Sequence, residues 1–77
     1  MTTISASAAR HVRLNYHPTP DTVNADVARI KTRAAELITE CEQLRDAGRG
    51  PREAALAITK LQEATYFAVM AITTPKD

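Results

Sequence analysis

A chain of 77 residues is one small domain at most, and ten Lys and Arg against nine Asp and Glu leave it nearly neutral. That excludes a multi-domain enzyme and gives no sign of a polybasic coat protein or an acidic tail. With only two Gly, no Trp and 44% hydrophobic residues, the composition is that of a helix-rich chain with too much apolar matter to stay disordered. Cys41 is alone, so an intramolecular disulfide framework and a CxxC metal site are both excluded, and a reducing cytosol is expected. His11 and His17 do not make up a four-ligand zinc set with it; no metal and no cofactor are expected. No apolar run reaches the roughly 20 residues of a membrane span, and residues 1–20 lack the apolar core of a signal peptide. They carry Arg10 and Arg13, Ser and Thr, and no acid, in the manner of a transit peptide, but an arm is the simpler reading.

Residues 1–15 have no sustained period and are read as that N-terminal arm, with one helical turn around Ala8 to Val12. In Tyr16-His17-Pro18-Thr19-Pro20, two prolines force an extended or turning path and also start a helix. Thr19 is a suitable N-cap, Pro20 fits the first helical position, and Asp21 lies where the helix dipole favours an anion.

The spacing predicts a helix over about 20–47. Its apolar residues Val23, Val27, Ile30, Ala34, Leu37, Cys41 and Leu44 alternate by four and three, a heptad seam. Gly48 is the expected left-handed cap and Pro51 opens a second helix over 51–73, closed by Thr73-Thr74-Pro75. Its seam is Ala54, Ile58, Leu61, Thr65, Ala68 and Ile72, so the fold class expected is all-α, an antiparallel helical hairpin spanning 16–77. Every residue of 67–72 is apolar, and one partner helix cannot cover such a block. An obligate homo-oligomer burying it is expected.

Catalysis finds little support. There is no Gly-rich phosphate loop and no Ser/His/acid set in recognisable context; Glu36 and Glu40 read as solvated surface acids and Cys41 as a small buried hydrophobe. No catalytic residue is assigned. The cations are better placed: Arg29, Lys31 and Arg33 occupy alternate positions with no acid between Asp26 and Glu36. Lys31 and Arg33 flank the seam on opposite sides, and Arg29 and Arg33, four apart, share a face; as helix evidence alone these read as solvated flanks. Tyr16, on a proline-stiffened segment next to them, suits base stacking beside phosphate pairing. It equally suits a staple packing on Val23 or Val27.

Tyr16-His17-Pro18 ahead of a heptad helix, then Pro51-Arg52-Glu53 leading through residues 57–64 (AITKLQEA) to Phe67-Ala68, resembles the helical-hairpin domain of the phage anti-CBASS cyclic-nucleotide sponges. The resemblance runs from about Asn15 to Ile72 and is most specific over 51–64. It implies a homohexamer in the cytoplasm of the infected bacterial host that sequesters cyclic dinucleotides and cyclic trinucleotides without cleaving them. It further implies a cyclic-dinucleotide pocket between protomers, with Tyr16 stacking on a base, Lys31 on the phosphates, and His17 and Pro18 in the same strap. A separate cyclic-trinucleotide site is assigned to the face bearing Arg29 and Arg33. The connector 45–50 resembles an extended version of the family's inter-helix turn, the pair Tyr66-Phe67 stands where the family's pattern tolerates variation, and both are expected to lie away from the pocket. The alternative is a small dimeric helical regulator whose Arg29, Lys31 and Arg33 bind nucleic-acid phosphates with steep salt dependence; the missing recognition-helix signature and near-neutral charge oppose it, so no nucleic-acid polymer is expected. A purely structural oligomerisation hairpin is the third reading, and it predicts no small-molecule ligand.

Overall fold

The computed structural model describes residues 3–14 and 21–74, as three helices and no strand: α1 (Ala6–His11), α2 (Asp21–Asp46) and α3 (Pro51–Thr73). Four residues join α2 to α3, so the two long helices fold back antiparallel as a hairpin 45 Å long, and α1 packs against α2. The 20–47 and 51–73 read from the sequence lie within a residue of the described bounds. Thr19 and Pro20, the proposed start of α2, lie outside the described residues.

The turn between the long helices is built by its glycines. Gly48, at φ +74°, carries the left-handed conformation that ends α2, while Gly48 N–H donates to the Arg45 carbonyl and Arg49 N–H to that of Leu44. This pair of bonds is the Schellman arrangement, which satisfies carbonyls a helix end leaves open. Pro51 then occupies the first turn of α3, where a missing N–H costs nothing.

On α3 the buried face coincides with the predicted seam. Ala54, Ile58 and Thr65 are buried, and Leu61, Ala68 and Ile72 are half-buried. On α2 it does not. Leu37 and Leu44, both on the four-and-three seam, are exposed, Leu37 at 46%, whereas Ile38 is at 0%. The core face keeps Val27 and Cys41 of the seam but is turned to the side of it that Ile38 occupies, adjacent helical residues lying about 100° apart. It runs through Val27, Lys31, Ala35, Ile38 and Cys41, with Thr39 and Glu42 buried at its far edge.

The cause is α1. Ser5 caps this helix: its Oγ accepts from Ala8 N–H at 3.0 Å and donates to Glu42 Oε1, while its own N–H donates to Thr39 Oγ1 at 3.1 Å. Thr39 Oγ1 in turn donates to the Ala35 carbonyl, so Thr39 and Glu42 both have their partners. Ala8 and Val12, four apart and on one face, join Ala35, Ile38, Cys41 and Ile58 in a single cluster. The segment read as an arm with one helical turn thus forms a wall of the core. Ser5→Ala is expected to cost about 1 kcal/mol, the usual worth of an N-cap. Amide hydrogen exchange should show the loss as faster exchange over residues 8–12, with α3 unaffected.

Cys41 is buried, as its seam position suggested. The apolar block 67–72 is covered on one side only: Ala68, Val69 and Ile72 are half-buried, whereas Phe67, at 66%, and Met70 are exposed, as are Leu56 and Tyr66. Among the described residues no helix is long and apolar enough to cross a membrane.

Candidate functional site

α1 ends as α2 does, with a Schellman pair in which Arg13 N–H donates to the Arg10 carbonyl and Leu14 N–H to that of Ala9. The left-handed position falls on Arg13, at φ +53°, rather than on a glycine, which costs about 1 kcal/mol or more. This conformation carries the Arg13 carbonyl to Lys31, whose Nζ donates to it at 2.9 Å.

Lys31 is therefore not a flank residue. It is 5% exposed, one turn after Val27 and one before Ala35 on the core face of α2. Loss of solvent around the ammonium, and secondarily the positive charge of Arg13, hold its pKa below the ordinary lysine range.

Beside it lies a cavity of about 260 Å³ between the end of α1, α2 and the second half of α3. His11, Val12 and Arg13 line one side and Lys31 the α2 side; α3 contributes Gln62, Thr65, Tyr66, Val69 and Met70. Its walls are thus mostly apolar, with a few polar groups, the character of a small-molecule site. Tyr66 is in its wall, its ring edge-on to that of Phe67 at 5.4 Å. Its place in the period gives no signal for this. Tyr66 follows Thr65 directly and points to the border of the packed face, where period arithmetic assigns neither core nor solvent.

The cations read together in the sequence are separated here. Arg29 is exposed and pairs with Asp26 at 2.9 Å on its own helix, and Arg33 is exposed; neither lines the cavity that Lys31 borders. Tyr16, His17 and Pro18 lie outside the described residues. Among the described residues, no three His, Cys, Asp or Glu side chains come together as a metal set.

Compared with known protein families, residues 8–73 match the Acb2/Tad1 hairpin domain, a span that takes in the last four residues of α1 and the whole of α2 and α3. The chain belongs to the Acb2/Tad1 family. This is the anti-CBASS sponge family, whose members sequester their ligands rather than act as enzymes. The matched span begins at Ala8, the buried residue of α1, so residues 8–11 of the short helix fall within it as well as the hairpin. No curated protein and no solved structure gives a significant match to the chain.

Proposed function

We propose that this Acb2/Tad1 protein binds and sequesters cyclic dinucleotides, and cyclic trinucleotides at a second site, without cleaving them, and so blocks CBASS signalling in the cytoplasm of the infected bacterial host. The observation that carries this reading is Lys31: in a chain of a sponge family, one lysine of an otherwise solvated basic run is drawn into the wall of an apolar-sided cavity. A partly desolvated ammonium forms strong charge-assisted bonds to phosphate, and a stacked base adds about 1–3 kcal/mol. In this reading Lys31 holds phosphate and Tyr16 stacks on a base, with His17 and Pro18 shaping the strap between them; Arg29 and Arg33 meet the cyclic trinucleotide.

The size of the cavity supports a shared site. At about 260 Å³ it falls short of the roughly 300–1,000 Å³ usual for small-molecule sites, so one protomer suits about half of a cyclic dinucleotide. A twofold-related pair of protomers supplies two lysines and two stacking rings to a ligand with two phosphates and two bases. Assembly to a homohexamer would also cover the open surface of Leu56, Phe67 and Met70.

Calorimetric titration with a panel of 3′,3′ cyclic dinucleotides and cyclic triadenylate tests the proposal. At least one should bind with Kd below about 10 µM, roughly −7 kcal/mol, and Tyr16→Ala should weaken the dinucleotide while leaving oligomer size unchanged. Absence of binding across the panel would remove the sponge reading for this chain.

A further inference from the structure

The polar atoms of the Lys31 cavity have fixed hydrogen-bonding senses. His11 Nδ1 lies 2.8 Å from the Ser7 carbonyl, and a carbonyl only accepts, so Nδ1 carries the proton. In the neutral ring the remaining nitrogen, Nε2, is then an acceptor. Thr65 is buried, and its Oγ1 donates its only proton to the Leu61 carbonyl at 2.7 Å. Lone pairs are all it has left to offer. With its ring neutral, His11 on α1 offers one acceptor and Thr65 on α3 another among the residues that line the cavity, with Lys31 as a cation on α2 and Tyr66 in the same wall. Phosphate oxygens would be repelled by both acceptors and suit only the Lys31 side. A planar base bearing N–H groups suits the rest, between apolar walls, and Gln62, a turn before Tyr66, can present either sense of its amide.

We infer that His11 and Thr65 read an exocyclic amine of the bound base, so that this cavity selects ligands with amino-bearing bases over those carrying a carbonyl oxygen in its place. The inference rests on the cyclic-dinucleotide reading above and adds to it a specificity that neither Tyr16 nor Lys31 supplies, since stacking and phosphate pairing are blind to the base edge.

The test compares cyclic di-AMP with cyclic di-IMP, in which the exocyclic amine is replaced with oxygen and the neighbouring ring nitrogen N1 gains a proton, in titrations of the full chain and of Thr65→Val, Thr65→Ser and His11→Phe. A carbonyl set against buried acceptors should weaken binding of cyclic di-IMP to the native protein by about tenfold or more. Thr65→Val and His11→Phe keep shape and remove an acceptor; each should shrink that ratio to about threefold or less, chiefly by weakening cyclic di-AMP, while Thr65→Ser preserves it. Circular dichroism identifies any variant that fails to fold, and the His11 and Thr65 variants carry the test separately. Equal affinity of the two ligands for the native protein, or a ratio unchanged in the folded variants, would overturn the inference and leave sequestration standing. If neither ligand nor any other cyclic dinucleotide binds, the reading beneath it falls as well.

Discussion

Ile38→Ala should destabilise the protein by about 2–5 kcal/mol, the range for truncating a large aliphatic side chain in a packed core. Ile38 is fully buried and stands where α1, α2 and α3 meet, among Ala8, Val12, Ala35, Cys41 and Ile58. Small residues dominate that cluster, so its neighbours have little side chain with which to fill the space. A domain of this length has on the order of 5–10 kcal/mol in total, so the loss consumes a large part of it. At about 4–8 °C per kcal/mol, the melting midpoint should fall by at least about 8 °C. Leu37→Ala is the control. Its side chain is exposed in the protomer, so helix content should hold, and any effect should appear as a concentration-dependent loss of assembly. Circular dichroism melts at several protein concentrations check both. Equal, concentration-independent losses at Leu37 and Ile38 would return the core to the heptad seam.

The second large effect is on binding. Lys31→Met keeps a long side chain of similar shape and removes the charge; cyclic-dinucleotide affinity should fall at least about tenfold, while stability at pH 7 changes by less than about 1 kcal/mol. A buried cation contributes little net stability when an apolar isostere can replace it. The same substitution should alter the response to alkali. Below the lowered folded pKa of Lys31, both folded and unfolded chains hold the proton and the full cost of burying the cation is present. Between that pKa and the ordinary value near 10.4, the unfolded chain keeps the proton and the folded chain does not, so stability rises with pH through this interval. Denaturant titrations at a series of pH values should show this rise in the native protein and its absence in Lys31→Met. A large loss of stability at pH 7 with unaltered ligand affinity would reassign Lys31 to structure.

Much of the frame was legible because local chemistry specified it. Gly48, Pro51 and the α3 seam each have one physical role available, and each fills it. The failures have a shared origin. Period arithmetic counts apolar residues and supposes one partner per helix, and it placed Leu37 inside and Lys31 outside. α2 has two partners, and the second is a six-residue helix too short to show a period of its own. Ser5, Thr39 and Glu42 join that helix through polar groups, which widens the buried arc on the side a hydrophobic count ignores. For the site, Lys31 could be named from a resemblance, but not its burial, which depends on a left-handed Arg13 whose carbonyl meets it. Tyr66 and Gln62 carried no signal in the sequence, because a cavity wall is set by three helices at once.

Capture without chemistry has two halves, and a single filtration experiment reads both. A limiting amount of a cyclic dinucleotide is mixed with excess protein and filtered to remove the protein-bound fraction; the retained fraction is then heated to denature the protein, and the released nucleotide is identified by mass. Sequestration should leave a filtrate depleted of nucleotide and return the cyclic form, intact and in near-full amount, from the retained fraction. Nucleotide left in the filtrate, or recovered as a linear product, would contradict it.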